Sequence, residues 1–321
     1  MTDTKTTILV PGKIHPRVLE RLEGKFDLLQ VPAGDDPGLG EAEAAKVLGI
    51  AVAGKVSAKL MAALPNLQVI ANFGVGYDGV DVEAAASRGI IVTNTPDVLN
   101  DEVADTTIAL LLNTVRRFYA AESWLRGGKW ESEGPFALSP LSLKGRHVGL
   151  YGLGRIGQEI AKRLEPFKVK ISYHTRSEKD VDYTYAASLK ALAESVDTLI
   201  CIVPKTDETH KVINAEILSA LGPNGVLINV GRGWSVDEPA LFEALQNGTI
   251  AAAGLDVFYD EPKVPEGFLG LQNASLLPHV ASASVPTRNA MADLVSDNLI
   301  SWFTDGKVLT PVAETPVKSS A

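Results

Sequence analysis

Short runs of β-branched and apolar residues alternate with helical patterns along most of this chain, and this alternation constrains the fold more than any other sequence feature. A strand, helix, strand order places neighbouring strands parallel in one sheet, since each helix returns the chain to the starting edge. The sequence therefore predicts an α/β fold with doubly wound parallel sheets. The first set of predicted strands is 8–10, 26–30, 48–52, 67–72 and 90–93, with helices at 16–22, 41–45, 57–64 and 81–88.

The alternation is interrupted once and then restarts. A helical pattern over residues 98–125 predicts one long helix that bridges two domains. Residues 126–144 are rich in Gly, Ser, Pro and aromatic residues, which predicts an ordered excursion containing Trp130 and Phe136. Tandem domains and insertion of one domain into the other both fit this pattern. The second set of predicted strands is 147–151, 169–173, 198–202, 226–229 and 251–255, with helices at 156–165, 189–194, 215–221, 238–245 and 288–302.

Length and composition narrow the class of protein. A chain of 321 residues is long enough for roughly two domains of about 150 residues each. The formal net charge is −9, and no basic stripe offsets it, so nucleic acid is not an expected partner. Cys201 is the only cysteine and has apolar neighbours, which predicts a core residue and excludes an intramolecular disulfide or a multi-cysteine metal site. We expect no bound metal.

The sequence carries no pattern that would direct the chain to a membrane. The first residues, MTDTKTTILVPGK, lack the charged and apolar regions of a signal peptide. No segment approaches the roughly 18 apolar residues that a membrane span needs. We therefore expect a cytoplasmic protein without a membrane partner.

The segment GLGRIG at 152–157 lies between a predicted strand and a predicted helix, which is the setting of a dinucleotide-binding loop. Gly152 permits the tight turn, Gly154 lets the backbone approach a pyrophosphate, and Gly157 lets the helix pack closely on the strand. The N-terminus of the helix then presents N–H groups to the phosphates. The sequence predicts a Rossmann-like domain here.

The end of the next predicted strand indicates which dinucleotide binds. An Asp or Glu that would bind a ribose 2′-hydroxyl is expected about 20 residues after the glycines. This strand ends instead in His174, Thr175 and Arg176, where Thr175 can donate a hydrogen bond and Arg176 can pair with a phosphate. The sequence favours NADP(H), with NAD(H) as the second cofactor.

Three side chains in turns after predicted strands could perform a reaction. Arg232 lies between two glycines, Glu261 lies in the segment FYDEP, and His279 follows a short strand. Each alone reads as a surface charge, a turn acid or a half-buried imidazole. Together they supply what carbonyl reduction needs: a cation for the substrate, a proton donor and a carboxylate that orients the imidazole.

A fourth turn follows a strand of the first half and contains Val75 and Gly76. Its backbone N–H groups, exposed between glycines, are suited to holding a carboxylate. The same residues also fit an ordinary βα turn.

These motifs together resemble the D-isomer-specific 2-hydroxyacid dehydrogenases over nearly the whole chain. The resemblance is carried by GLGRIG, ALGPNGVLINVGRG, VDEPAL, AGLDVFYDEPKVPE and LLPHVASASVPTR. These look like the glyoxylate/hydroxypyruvate and hydroxyphenylpyruvate reductase branch, whose members usually prefer NADPH. The resemblance implies a substrate domain of residues 1–98 plus 287–321, with an NADP-binding domain of 99–286 inserted between them. It also implies a homodimer formed through the cofactor domain and segment 126–144.

The resemblance further implies a role for each candidate residue. His279 would donate the proton to the C2 carbonyl oxygen, Glu261 would orient it, and Arg232 would bind the carboxylate and carbonyl of the substrate. Val75 and Gly76 would donate backbone N–H groups to that carboxylate. Ala281 departs from the branch, which often has Gly there. The residues implied for the cofactor are Thr107, Val203, Pro204, Thr209 and Asp256 around the nicotinamide, and Arg155 and Ile156 at the pyrophosphate.

The sequence thus predicts NADPH-dependent reduction of a small 2-keto acid to the D-2-hydroxy acid. One alternative is an NAD-dependent member that acts on 2-ketogluconate or an arylpyruvate. Phosphoglycerate and formate dehydrogenases fit less well, because the strand tip lacks its acid and formate dehydrogenases carry Gln at the position of Glu261. Another alternative is a dinucleotide-sensing interaction protein without turnover. The substrate side chain would be read near Lys55, Val75 and Trp130, and glyoxylate, hydroxypyruvate, 2-ketogluconate and arylpyruvates all stay open.

Overall fold

The structure, a computed structural model, describes residues 5–315, which form two compact units. Unit 1 contains the described residues up to Leu99 and those from Ser284 onward, and unit 2 is the continuous stretch from Asn100 to Ala283. The resemblance implies domain boundaries after residue 98 and before residue 287. Each unit contains one sheet, and every strand pairing within these sheets is parallel, which confirms the predicted α/β class.

The helices and strands are named in chain order. The strands are β1 (Thr7–Pro11), β2 (Asp27–Val31), β3 (Val47–Val52), β4 (Val69–Asn72), β5 (Ile91–Thr93), β6 (His147–Tyr151), β7 (Lys170–His174), β8 (Thr184–Tyr185), β9 (Thr198–Cys201), β10 (Val226–Asn229), β11 (Ala252–Leu255) and β12 (Ala274–Leu276). The helices are α1 (Pro16–Leu22), α2 (Glu41–Ala44), α3 (Ala58–Ala62), α4 (Val82–Ser87), α5 (Asn100–Arg116), α6 (Phe118–Arg126), α7 (Lys129–Ser132), α8 (Arg155–Leu164), α9 (Leu189–Ser195), α10 (Ala215–Leu221), α11 (Glu238–Gln246), α12 (Glu266–Leu269) and α13 (Val285–Asp305).

The sheet of unit 1 has the strand order β2-β1-β3-β4-β5. Alternate residues of each strand face opposite layers, so Ile8 and Val10 join one apolar cluster while Leu9 joins the other. Helices α1 and α13 pack against each other, and α13 supplies Val295 and Leu299 to the cluster that contains Ile8. The C-terminal segment of the chain therefore completes the core of the unit formed by its N-terminal segment.

The sheet of unit 2 has the strand order β12-β11-β10-β9-β6-β7-β8. The chain leaves β6 in one direction to β7 and β8, and then crosses back to β9, so the winding direction reverses between β6 and β9. Such a reversal opens a crevice at the carboxyl ends of the two strands, where α/β proteins bind their ligands. Cys201, at the end of β9, is fully buried, as its apolar neighbours predict.

The single long helix predicted over residues 98–125 is wrong, because two helices occupy this stretch. Helix α5 ends at Arg116, Arg117 adopts a left-handed φ of 56°, and α6 begins at Phe118. The side-chain oxygen of Asn113 accepts a hydrogen bond from the Tyr119 N–H at 2.9 Å. This bond satisfies a backbone donor of the first turn of α6, so the helix can restart in a new direction.

Among residues 5–315, no helix is both long enough and apolar enough to cross a membrane. The same part of the chain contains no group of three or more His, Cys, Asp or Glu side chains placed to hold a metal ion. The segment predicted as an ordered excursion contains the short helix α7, and its Phe136 packs edge-on against Trp124 with ring centroids 5.9 Å apart.

Candidate active site

Most of the residues proposed from the sequence lie in loops that follow the strands of unit 2. Because all seven strands are parallel, these loops leave the sheet at the same edge. The order of loops along that edge follows the strand order, so residues far apart in sequence become neighbours. The loops are 152–157 after β6, 174–176 after β7, 203–209 after β9, Arg232 after β10, Asp256 and Glu261 after β11, and His279 after β12.

The three glycines of the loop after β6 differ in what surrounds them. Gly152 has a φ of +104°, and a Cβ there would lie 2.7 Å from the Ile202 carbonyl oxygen. A Cβ on Gly157 would lie 2.5 Å from the carbonyl oxygen of Gly152, so only glycine lets α8 approach the turn this closely. A Cβ on Gly154 would meet no atom within 4 Å, which means that this side of the loop is open.

Helix α8 begins directly behind the open side of this loop. Arg155 and Ile156 form its first turn, and Gly154 at the N-cap position has no side chain with which to accept from the first N–H groups. An uncapped helix N-terminus behind an open glycine is suited to a phosphate, through N–H donors and the helix dipole. This loop therefore fits the pyrophosphate of a dinucleotide.

Two side chains at the tip of β7, those of His174 and Thr175, are held by hydrogen bonds. The Nδ1 atom of His174 lies 2.8 Å from the carbonyl oxygen of Ala186, and the His174 ring stacks on that of Tyr151. The Thr175 hydroxyl donates to the Ser177 carbonyl oxygen at 2.7 Å. His174 and Thr175 thus help to hold the shape of the tip.

Arg176, which follows them, is exposed. The carboxyl group of Glu208, in the loop after β9, has a pKa lowered first by a hydrogen bond from Thr206 and also by the charge of Arg176. Arg176 is therefore within electrostatic range of the loop after β9. Its guanidinium at a strand tip without a carboxylate fits a 2′-phosphate.

The loop after β9 is held by Thr209. The backbone N–H of Thr206 donates to its hydroxyl at 2.9 Å, and that hydroxyl lies 2.9 Å from the Pro204 carbonyl oxygen. Val203 is buried beneath the loop and Pro204 is exposed. Thr107 is fully buried within α5, where its hydroxyl donates to the Val103 carbonyl oxygen. The hydroxyl of its neighbour Thr106 donates to the Ala281 carbonyl oxygen at 3.1 Å, so this part of α5 contacts the loop that carries His279.

Glu261 and His279 meet across two loops. The Nδ1 atom of His279 lies 2.6 Å from Oε2 of Glu261, and the other carboxylate oxygen, Oε1, accepts the Phe258 N–H at 3.0 Å. Partial burial favours a higher pKa for Glu261, but the hydrogen bonds from His279 and Phe258 and the charges of His279 and Arg232 lower it below its ordinary value. Glu261 is therefore kept ionised beside the imidazole.

Asp256 holds the backbone of the loop that carries His279. Its two carboxylate oxygens accept the N–H groups of Val280 at 2.7 Å and Ala281 at 2.9 Å. His279 has a left-handed φ of 53°, an unusual conformation for a residue with a Cβ, and these hydrogen bonds stabilise it. Burial raises the pKa of Asp256, and the two N–H donors oppose that rise.

Arg232 is positioned through its backbone. Its carbonyl oxygen accepts hydrogen bonds from the Asn229 side-chain amide at 3.0 Å and from the Ser235 hydroxyl at 2.8 Å. Its Nη1 atom donates to the Gly231 carbonyl oxygen at 2.8 Å. The charge of Arg232 acts on Glu261, as the lowered pKa of that carboxyl group indicates.

Unit 1 carries the remaining predicted residues in the turn after β4. The Asn72 amide donates to the Gly76 carbonyl oxygen at 3.0 Å, and the Asn94 amide donates to the Val75 carbonyl oxygen at 2.8 Å. The Thr95 N–H donates to the Gly74 carbonyl oxygen at 2.9 Å. The carbonyl groups of this turn are thus satisfied. Within the described part of unit 1, no hydrogen-bond acceptor is paired with the N–H of Val75 or Gly76.

Three residues beside the site were not found from the sequence. Glu238 accepts the Tyr259 N–H at 2.8 Å, and Trp234 stacks on the Tyr259 ring. No periodicity or spacing marks Glu238 or Tyr259. Trp234 did carry a signal, because a tryptophan directly after Arg232 and Gly233 places a large aromatic side chain in a ligand-binding turn.

Comparison with known proteins assigns the chain to a family. Residues 108–281 match the family model described as D-isomer specific 2-hydroxyacid dehydrogenase, NAD binding domain. A hydroxyphenylpyruvate reductase from Plectranthus scutellarioides is 48% identical over 267 residues, which cover 83% of this chain and 84% of that protein. A 2-ketogluconate reductase from Gluconobacter oxydans is 41% identical over 316 residues, covering 96% and 99%.

A crystal structure extends this likeness to the whole fold. The NADPH-dependent glyoxylate/hydroxypyruvate reductase from Sinorhizobium meliloti, in complex with NADP and malonate, is 62% identical to this chain, with a TM-score of 0.96. The match covers 99% of each chain. The family expected from the motifs is confirmed: this chain belongs to the D-isomer specific 2-hydroxyacid dehydrogenases, a family of nicotinamide-dependent oxidoreductases.

Proposed function

We propose that this protein reduces a small 2-keto acid, of the glyoxylate or hydroxypyruvate type, to the D-2-hydroxy acid with NADPH. The observation that carries the proposal is the 2.6 Å contact between His279 and an ionised Glu261, with Arg232 acting on the same carboxylate. Reduction of a carbonyl needs a proton donor at the oxygen and a cation near the developing negative charge, and these residues supply both.

In this mechanism His279 donates the proton. Glu261 accepts the hydrogen bond from Nδ1, which leaves Nε2 as the nitrogen that protonates the C2 oxygen of the substrate. The bound nicotinamide supplies the hydride to C2. After the transfer, His279 is neutral and its proton is part of the new hydroxyl group, and Glu261 stays ionised throughout.

Arg232, Val75 and Gly76 bind the substrate in the proposed reaction. Arg232 interacts with the carboxylate and the carbonyl oxygen of the 2-keto acid, where its charge also stabilises the transition state. The N–H groups of Val75 and Gly76 donate to the carboxylate. The support for this role is that the carbonyl groups of the turn are fixed by Asn72 and Asn94, so that the N–H groups are oriented before a ligand arrives.

The preference for NADPH rests on the tip of β7. Arg176 and Thr175 stand where an acidic residue would bind the 2′-hydroxyl of NADH. We propose the remaining cofactor residues in the roles expected from the sequence: the glycine loop, Arg155 and Ile156 at the pyrophosphate, and the loop after β9 with Thr107 and Asp256 at the nicotinamide. The Sinorhizobium meliloti relative, whose crystals contain NADP, supports this preference.

A panel of 2-keto acids tests the proposal. Glyoxylate, hydroxypyruvate, 2-ketogluconate and an arylpyruvate are each assayed with NADPH and with NADH by the loss of nicotinamide absorbance. We expect the highest kcat/KM for glyoxylate or hydroxypyruvate with NADPH. Turnover of 2-ketogluconate or the arylpyruvate alone would contradict the proposal that glyoxylate or hydroxypyruvate is the substrate. Binding of NADPH without turnover of any of the four 2-keto acids would contradict the proposed reductase activity and favour a sensing protein.

We also propose a homodimer formed through α6, α7 and the segment that follows. Large apolar side chains there are exposed: 77% for Tyr119, 63% for Trp130 and 94% for Leu138. Single exposed apolar side chains are common on protein surfaces. Three of them in one segment indicate a surface that a second chain covers. Light scattering should give the mass of two chains for the wild type and of one chain for Trp130→Glu combined with Leu138→Glu. The proposed location is the cytoplasm, supported by the lone buried cysteine.

A further inference from the structure

The loop that carries Glu261 is held in place by contacts with neighbouring segments of unit 2. Glu238, at the start of α11, accepts the Tyr259 N–H at 2.8 Å, directly next to the Phe258 N–H that donates to Glu261. The backbone of Phe258 also packs against Gly233 so closely that a Cβ on Gly233 would overlap it. The segment of Glu261 is thus in direct contact with the segment of Arg232.

Three aromatic rings connect the same two segments on the outside. The Trp234 ring stacks on the His210 ring, with centroids 4.0 Å apart, and on the Tyr259 ring, with centroids 5.6 Å apart. The Nε2 atom of His210 lies 3.1 Å from the Tyr259 hydroxyl. We call His210, Trp234 and Tyr259 the aromatic stack. Its members come from three different loops, so the stack connects loops that share no backbone.

The aromatic stack is itself fixed at both ends. The Trp234 indole N–H donates to the Thr206 carbonyl oxygen at 2.8 Å, and the Lys205 ammonium lies 4.5 Å from the centre of the Trp234 ring. The Lys211 ammonium lies 5.3 Å from the centre of the Tyr259 ring, and the Lys211 N–H donates to the Trp234 carbonyl oxygen at 2.9 Å. Cation–π contacts and aromatic stacking of this kind stabilise a single arrangement of the loops.

We propose that Trp234 is a positioning residue for the reaction: through the aromatic stack it fixes the loop of Glu261 relative to Arg232, and so holds the carboxylate in hydrogen-bonding contact with His279. Trp234 lies two residues after Arg232, and its stacking partner Tyr259 lies two residues before Glu261. The role of Trp234 rests on the proposed function, because it acts through residues assigned there.

The proposed role has a consequence for the ionisation of Glu261. The charged groups around this carboxylate are His279 and Arg232, which favour its ionised form, and Asp256 and Glu238, which oppose it. If the loop is released, the hydrogen bond from His279 weakens while partial burial persists. The pKa of Glu261 then rises toward its ordinary value, and the acidic limb of the pH profile moves to higher pH.

Trp234→Ala and Trp234→Phe test this proposal, with Trp302→Ala as the matched control. Trp302 is also half-buried, and its indole N–H donates to the Gln68 side chain at 3.1 Å, within unit 1. For Trp234→Ala we expect about a tenfold loss of kcat and an acidic limb that moves to higher pH. Trp234→Phe, which keeps an aromatic ring, should recover most of kcat, and Trp302→Ala should match the wild type.

The variant Glu238→Gln distinguishes an effect of loop position on Glu261 from an effect of a nearby negative charge. The amide keeps an acceptor for the Tyr259 N–H and removes a negative charge near Glu261. The acidic limb should therefore move to lower pH or stay in place, the opposite of its movement in Trp234→Ala.

Carbon NMR titration of the Glu261 carboxyl group, without substrate, gives a readout that does not depend on turnover. A higher pKa of Glu261 in Trp234→Ala supports positioning even if no 2-keto acid is turned over, in which case only the proposed function fails. A kcat and a Glu261 titration equal to those of the wild type would overturn the role of Trp234. An equal loss in Trp302→Ala would overturn it as well, because the effect would then be one of general stability.

Discussion

The Nδ1 atom of His279 lies 2.6 Å from Oε2 of Glu261, so one ring nitrogen is bound to the carboxylate and the other can act on a ligand. His279→Gln removes the proton donor and keeps a side chain of similar size. We expect kcat to fall by a factor on the order of 10² or more. NADPH binding, followed by fluorescence titration, should be retained. Near-normal turnover would contradict the assignment of His279 as the proton donor.

The lowered pKa of Glu261 predicts the shape of the pH profile. Because this pKa lies below its ordinary value, Glu261 stays ionised as the pH falls and loses its charge only at unusually acidic pH. The acidic limb of kcat/KM for keto acid reduction should therefore lie at a lower pH than the ordinary pKa of a glutamate side chain. Glu261→Gln should abolish that limb and lower kcat at every pH. An unchanged limb in Glu261→Gln would assign it to another group.

Arg176 should discriminate between the two nicotinamide cofactors. Arg176→Ala removes the guanidinium proposed to pair with the 2′-phosphate, which NADH lacks. We expect KM for NADPH to rise by about tenfold, as for the loss of one charge-assisted hydrogen bond, and KM for NADH to change little. Lys179→Ala is the control, because it removes a positive charge from the same connection after β7. Equal effects on both cofactors, or equal effects of both variants, would argue against specific recognition.

Two glycines of the loop after β6, Gly154 and Gly157, should respond differently when a methyl group is added. Gly157→Ala forces a Cβ against the Gly152 carbonyl oxygen, so it should lower the free energy of unfolding by about 1–3 kcal/mol. Gly154→Ala meets open space and should leave thermal unfolding without cofactor unchanged, but weaken NADPH binding. Measuring both properties on both variants checks the prediction. A stable Gly154→Ala that binds NADPH normally would mean that the pyrophosphate does not approach this side.

The turn after β4 should affect substrate binding more than chemistry. Asn94→Ala removes the donor to the Val75 carbonyl oxygen, so the peptide that presents the next N–H group can rotate. We expect KM for the 2-keto acid to rise by about tenfold, roughly the worth of one hydrogen bond to a charged group, with KM for NADPH unchanged. Asn66→Ala, which removes an exposed side-chain bond to the Ala45 carbonyl oxygen in the same unit, is the control. A fall in kcat without a change in KM would contradict the binding role.

The sequence predicted the fold well because both sheets are built from short apolar runs with clear helical patterns between them. The break between α5 and α6 was missed because Arg117 is an ordinary helix residue, and its left-handed conformation depends on Asn113 accepting the Tyr119 N–H. Strand β8 and helix α12 were missed because two and four residues are too short to show a period.

The candidate site could be predicted in part for a related reason. Arg232, Glu261 and His279 stand out by residue type in turns after strands, and a parallel sheet brings such turns together. The support of these residues could not be predicted in the same way. Asp256 holds the backbone of the His279 loop, and Glu238 holds that of Tyr259, through contacts between loops that are set by tertiary packing.

The interruption of unit 1 by unit 2 has a consequence for the order in which the chain folds during synthesis. Strands β1 to β5 leave the ribosome before unit 2, but Val295 and Leu299, which pack in the same cluster as Ile8 and Val10, leave it after unit 2. All of unit 2 is synthesised in between and is continuous in sequence, so it can complete its core while one face of the first sheet is covered only in part, by α1. The nascent N-terminal segment is therefore the part of this protein most exposed to aggregation, and the one that a chaperone would protect.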